Sequence, residues 1–258
     1  MLYLLRVGVD KKYGGFHSPI FSNYSYLFIP IPDNGVISEK SINYSDYKWN
    51  KQNILPYIPE NRRKEISSRP VHNDPEFVTC TYGSPKIPKK SKKKRTEKNY
   101  YKLVKFKKDD LLVFYAAFSN KFEDINESKS GYYFFAYFVI EKSIRYETSK
   151  YLEQNDKDLI SMNHHFIHGW ENQVIVVGNR QKSRVFEKAV LLSSKNHDRE
   201  GCNYYPSDII RKILNYNKSM NLSSLRKFKS PAITKAFKKF LDDKSGKNLL
   251  NRHISQSL

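Results

Sequence analysis

An aspartate beside a histidine is a pairing suited to proton transfer: the carboxylate orients the imidazole and balances its charge when it takes up a proton. His72 and Asp74 stand two residues apart in Val71-His72-Asn73-Asp74-Pro75, and Asp10 opens the stretch Asp10-Lys11-Lys12-Tyr13-Gly14-Gly15-Phe16-His17-Ser18-Pro19. If Asp10, His72 and Asp74 converge, they make a catalytic group. They are suited equally to placing a divalent cation, and no metal-ligand set is assigned to them. The structural alternative is that Asp10 caps one turn and Asp74-Pro75 starts another.

His164, His165 and His168 form a second concentration. Spacing of i and i+4 puts His164 and His168 on one helical face, but no glutamate stands where an H-E-x-x-H zinc site needs one. They read as structural or surface histidines, with His165 the one assigned to a site. Ser18 is offered as a nucleophile or phosphate ligand, although no G-x-S-x-G elbow surrounds it. Gly14 and Gly15 either let backbone N–H groups approach a phosphate or simply make a turn. Tyr115, Tyr132, Tyr133 and Phe135 either stack a base or fill a core. There is no G-x-G-x-x-G and no P-loop, and nothing specifies a cofactor.

These residues need elements to hold them. Leu111 to Phe118 and Gly131 to Ile140 are apolar, aromatic runs, which predicts two strands buried on both faces and paired as a hairpin. Gln173–Gly178 and Arg184–Ser193 predict two more. Residues 1–35 predict two strands around the Gly14-Gly15 turn, and Pro59 to Ser67 a short helix. In the tail, Ser207 and Ser230 are N-cap candidates, and Pro231 suits a first helical turn. Residues 84–99 hold Lys89, Lys90, Lys92, Lys93, Lys94 and Arg95 with no apolar face, which predicts a mobile, nucleic-acid-binding loop.

The chain of 258 residues carries 46 Lys and Arg against 26 Asp and Glu, a net charge of +20. Residues 201–258 alone hold 12 basic and 3 acidic residues, or +9. Such a surplus attracts polyanions, nucleic acid first. The first apolar run is too short to span a membrane and is broken by Arg6. Cys80 and Cys202 have no metal spacing. A cytoplasmic protein with no membrane partner is the resulting expectation.

The opening residues resemble the nucleotide modification associated domain 3 family, found with DNA base-modification systems. Its signature is an apolar strand, a D-x-x-x-G-G-x-x-S-P-I turn and a strand ending P-I-P-D. Here these are Asp10, Gly14, Gly15, Ser18, Pro19, Ile20 and Pro30-Ile31-Pro32-Asp33. The H-x-D-P element resembles His72, Asp74 and Pro75, and a later histidine segment resembles His164-His165. The likeness runs from about residue 3 to 195. It departs at Asp109, where the family has glycine, and at Tyr82-Gly83-Ser84, which replaces an F-G-Q-type stretch.

The resemblance points to a catalytic group of Asp10, His72 and Asp74; the substrate side is assigned to Tyr13, Gly14, Gly15, Ser18, Asp33 and His165, with Tyr115 as the aromatic candidate for stacking. It also implies an α+β fold: a curved, mainly antiparallel sheet or a small PUA-like barrel (residues 1–200), followed by a basic helical tail (201–258). The function expected is action on a nucleotide or on a base in DNA or RNA. The alternatives are a non-catalytic reader of modified or flipped bases, and a basic scaffold.

Overall fold

The computed structural model describes residues 1–10, 14–33, 41–83, 103–120, 130–195, 204–219 and 225–250. Along the chain the strands are β1 (Leu2–Arg6), β2 (Ser18–Pro19), β3 (Ile31–Pro32), β4 (Lys48–Trp49), β5 (Gln52–Asn53), β6 (Val71–His72) and β7 (Thr81–Gly83). They continue with β8 (Leu111–Ser119), β9 (Gly131–Tyr146), β10 (Gln173–Gly178), β11 (Arg184–Lys195), β12 (Tyr204–Pro206) and β13 (Arg226–Phe228). The α-helices are α1 (Glu60–Ile66), α2 (Gln154–Ile160), α3 (His164–Ile167), α4 (Asp208–Leu214) and α5 (Pro231–Lys244).

The two long aromatic runs pair with each other. β8 and β9 are antiparallel, from Leu111 opposite Val139 to Phe118 opposite Gly131. Around them the main sheet runs β12-β11-β9-β8-β1-β13. β1 and then β2 lie parallel to β8 along its other edge; the remaining pairings of this sheet are antiparallel. β9 is 16 residues long and outruns its first partners. Its second half, from Ile140 to Tyr146, pairs instead with β10, and β10 pairs with β7.

All nine residues of β8 are buried. Alternation sends Leu112, Phe114, Ala116 and Phe118 to one face and Leu111, Val113, Tyr115 and Ala117 to the other. The first face packs under the loops of residues 16–77, with Tyr26, Phe28, Trp49 and Phe77. There Phe28 stacks on Phe135 at 4.6 Å. The second face packs under α4 and α5 through Ile210, Leu214, Phe237 and Leu241.

A register shift opposite Phe114 and Tyr115 puts both Phe135 and Ala136 on the first face. This β-bulge reverses the in–out parity of β9. Tyr133 and Phe135 face one way before it, and Phe138 and Ile140 face the same way after it.

The sheet is open, which corrects the expected barrel: its path ends at β12 and β13 rather than returning on itself. Aromatic runs apolar on both faces need cover on both sides. Loops supply one layer and the C-terminal helices the other, so closure is not required to bury them. Both tail helices form where the serine caps predict. Ser230 Oγ accepts the Ile233 N–H at 3.3 Å, with Pro231 in the first turn. The tail also adds β13 to the edge of β1. The basic run 84–99, with Lys89 to Arg95, lies outside the described residues, as do Tyr13 and Cys202. No helix among the described residues is long and apolar enough to cross a membrane.

Asp242 fastens α5 to the sheet. It accepts hydrogen bonds from Tyr137 Oη (2.7 Å), Arg184 Nη1 (2.9 Å) and Lys238 Nζ (2.7 Å). Burial opposes its ionisation, but these donors outweigh burial and hold the carboxyl below its ordinary value. A depressed folded pKa adds stability that is present above the unfolded carboxyl's value near 4 and is lost as pH falls through the folded value. Asp242→Asn is therefore expected to lower unfolding stability by roughly 1–2 kcal/mol at pH 7. Urea denaturation checks this: the gap between the two proteins must shrink as the pH is taken down through that range.

Candidate functional site

Four segments that are distant in sequence bring their polar side chains to one place. β3 and β6 are antiparallel, with Ile31 opposite His72 and Pro32 opposite Val71. The Asp33 N–H bonds the Pro70 carbonyl at 3.0 Å, which holds Asp33 beside β6. After β6 the chain turns tightly, the Asp74 N–H reaching back to the His72 carbonyl at 2.8 Å. Glu76 and Thr81 then close a hairpin by exchanging backbone hydrogen bonds of 2.9 Å each. The Glu76 carboxylate caps that loop through the Val78 and Thr79 N–H groups at 2.5 and 2.7 Å. The hairpin delivers β7 to β10, where Gly83 lies opposite Ile175.

The histidines arrive on α3, which begins at Asn163. Its side-chain oxygen accepts the His165 N–H at 3.0 Å, an N-cap bond. The same amide donates to Thr81 Oγ1 at 3.0 Å and reaches Asp74 Oδ1 at 3.5 Å. One buried asparagine thus joins the helix start, β7 and Asp74.

Asp74 is nearly buried, and its Oδ1 accepts the Gly83 N–H at 2.9 Å. Its Oδ2 lies 3.4 Å from His165 Nε2. The His165 ring lies flat against Gly83, where an added Cβ would stand 2.6 Å from Cγ and Cδ2. On the far side of the ring, Gln173 Nε2 donates to the Glu171 carbonyl at 2.9 Å, which turns Gln173 Oε1 to His165 Nδ1 at 3.0 Å. Nδ1 then donates to Gln173, and Nε2 is turned to Asp74 Oδ2.

Asp33 makes a second carboxylate–imidazole group next to the first. Its Oδ2 lies 2.9 Å from His164 Nε2 and 3.4 Å from His168 Nε2. His72 lies between the two groups, its ring 4.1 Å from that of His164 and 5.3 Å from that of His165. Trp170, half-buried, borders all four imidazoles, at 4.6 Å from His165 and 6.1 Å from His72. One ligand atom each from Asp33, His72 and His164 falls within 4.8 Å of the others, and so does one each from His72, Asp74 and His165.

Burial sets the protonation states. It pushes the His72 imidazole well below its ordinary value, and the adjacent His164, His165 and His168 rings push the same way against Asp33. It pushes His164 down to about 3, again helped by His168 and His165. Both rings are therefore neutral at neutral pH, able to accept a proton or offer a lone pair. Burial raises the Asp74 carboxyl, against the hydrogen bonds from His165, Gly83 and Asn163.

Of the three residues assigned to catalysis, His72 and Asp74 come together. Asp10 pairs instead with Arg6, Oδ2 to Nη2 at 3.1 Å, and Arg6 donates to Tyr132 Oη at 2.8 Å. Asp10 is in neither of the two groups of close ligand atoms. Asp33 and His165 both lie in the cluster. Ser18 is buried, with its Oγ accepting the Ile29 N–H at 3.1 Å. Gly14 and Gly15 take positive φ of 100° and 85° in the turn after Asp10. Tyr115 is fully buried in the second core, where its hydroxyl accepts from Arg226 Nη1 at 2.8 Å. Tyr132, Tyr133 and Phe135 are also core residues.

His164 and His168, read as structural or surface groups, lie against Asp33, and their i, i+4 spacing was the signal for it. Gly83, Asn163, Trp170 and Gln173 carry no site signal in the sequence, because their roles depend on pairing across the fold.

These coordinates define an α+β protein with a buried cluster of carboxyl and imidazole groups beside an open sheet. The chain belongs to the nucleotide modification associated domain 3 family, whose model matches residues 2–221. No curated protein and no solved structure matches it.

Gly83→Ala tests the cluster's packing. The new methyl group and the His165 ring cannot both keep their places. The substitution is expected to cost about 1–3 kcal/mol in urea denaturation. It should also shift the His165 ring signals in a histidine-selective NMR spectrum, and an unchanged spectrum would contradict the close approach.

Proposed function

We propose that this chain acts on a nucleotide, free or within nucleic acid, in a base-modification reaction centred on His72, Asp74 and His165. The observation that carries the reading is the meeting of two carboxyl groups and four imidazoles drawn from three separate segments, most of them buried. Burying such groups is costly unless each is paired, and a cluster of this size supports a functional reading over packing alone. Family membership supports the substrate class. So does the net charge of +20, which draws phosphate to the chain.

In this reading the Asp74–His165 pair takes a proton from the substrate, with neutral, partly exposed His72 beside it. Asp74 orients His165 from Nε2 while Gln173 fixes the opposite nitrogen. Trp170 offers a face against which a base stacks as it enters. Lys89, Lys90, Lys92, Lys93, Lys94 and Arg95, with the basic tail, grip phosphate without reading sequence. Asp10 acts through its ion pair with Arg6, positioning the first turn.

A second reading, a non-catalytic PUA-like reader of modified or flipped bases, is favoured by the same Trp170 face. The two readings separate in one experiment. DNA and RNA from cells expressing the chain are digested to nucleosides and analysed by mass spectrometry, beside cells expressing His72→Ala. The enzyme reading expects a mass-shifted nucleoside with the native chain, its loss in the variant, and nucleic-acid affinity within about twofold by fluorescence anisotropy, because affinity rests on phosphate contacts. A reader gives no new nucleoside in either sample, and the variant loses affinity for one base. If neither product nor affinity responds to His72, the reading is wrong.

A further inference from the structure

We infer that Asp33, His72 and His164 form a binding site for one divalent first-row transition metal ion, with His168 beside it. The inference concerns the same cluster as the functional reading and deepens it, but it stands on the geometry of the donors themselves.

The first observation is a buried nitrogen. His164 Nε2 is buried and 2.9 Å from Asp33 Oδ2, yet it makes no hydrogen bond there. A buried polar nitrogen is normally satisfied. Here it lies beside the carboxylate and within 4.8 Å of a His72 nitrogen.

The second is spacing. Donors about 2.1 Å from one ion stand roughly 3.0 Å apart at right angles and 3.4 Å apart at the tetrahedral angle. The distances from Asp33 Oδ2 to His164 Nε2 and His168 Nε2 are 2.9 and 3.4 Å. The Asp33–His164 edge already has the length of a coordination-shell edge, and His168 stands at a comparable distance from the same oxygen. One nitrogen of His72 lies within 4.8 Å of the other ligand atoms, so the ring must close in to complete a face.

The third is chemistry. Two imidazoles and one carboxylate, with no thiolate, select a borderline metal such as Zn²⁺, Fe²⁺, Co²⁺ or Ni²⁺ over Ca²⁺ or Mg²⁺. The neighbouring Asp74–His165 pair is held differently. Asp74 Oδ1 is engaged by Gly83, and His165 Nδ1 by Gln173. That pair therefore stands next to the ion as a proton-handling or positioning group.

The test uses the full chain with no nucleotide present. The protein is stripped with a chelator, titrated with Co²⁺ and followed by visible absorption and by metal analysis after desalting. The expected result is about one equivalent retained per chain, with the absorption of nitrogen–oxygen coordination and a rise in melting temperature. His164→Gln and Asp33→Ala are expected to weaken Co²⁺ binding at least about 100-fold, more than the loss of an outer-shell partner. His72→Gln, at a partly exposed position, provides the same readout should the buried variants fail to fold. Cooperative thermal unfolding certifies each variant.

No retained metal in the native chain overturns the inference. So does a folded His164→Gln or His72→Gln variant that binds as well as the native chain, or binding lost only on substitution of Asp74 and His165. These outcomes are independent of turnover. Metal binding without any modified nucleoside leaves this site standing and removes the catalytic reading, whereas a modified nucleoside with no retained metal does the reverse.

Discussion

A carboxylate leaves water only where other groups replace the water, and at Asp74 every replacement comes from elsewhere in the chain. Gly83 supplies a backbone N–H, Asn163 an amide and His165 a ring nitrogen. All of them depend on one close approach, that of the His165 ring to a residue with no side chain. The ring can lie on β7 only because position 83 is empty of carbon beyond Cα. Lying there, it is held between Asp74 and Gln173, and α3 is held with it. His164 and His168 are carried on the same short helix, so the Asp33 group depends on the contact as well.

The sheet makes this economical. β10 bears Gln173 at its first residue and pairs on one side with β7 and on the other with the second half of β9. The first half of β9 is the centre of the hydrophobic core. One strand of 16 residues therefore carries packing at one end and indirectly carries the site at the other. The far face, covered by α4 and α5, has its own polar fastening at Asp242. Core and site share a strand but not their critical side chains, so substitutions in the cluster need not dissolve the fold.

What could be read from the sequence follows from the range of the interactions involved. The strands at Leu111, Gly131, Gln173 and Arg184 begin where the apolar runs begin, because burial on both faces leaves an unbroken hydrophobic signature. The helix at Pro231 begins at its serine cap for an equally local reason. The barrel did not follow, since aromatic runs of this kind are satisfied by any cover on both faces, and only the tail's docking decides which. The bulge at Phe135 was invisible because it reverses parity without changing composition. In the site, His72 and Asp74 were legible as neighbours and Asp33 through the family signature. Asp10 was grouped with them by the same signature, although its partner is Arg6, four residues away. The meeting of Asp33 with His164 spans more than a hundred residues and left only the i, i+4 spacing as a trace.

The charge distribution assigns different tasks to different regions. Burial holds His72 and His164 neutral, so those two rings bring no positive charge to a phosphate. The surplus of +20 lies in lysines and arginines, dense in the run at 84–99 and in the tail. On the reading proposed above, a nucleotide would be gripped by its phosphates at those lysines and arginines, and the base or sugar would reach the imidazoles. Carboxyl groups among neutral rings repel an anion and attract a cation. A divalent ion between Asp33 and His164 would reconcile the two. It would offset the local negative charge and give the incoming group an electrophile, with Asp74 and His165 beside it to manage the proton.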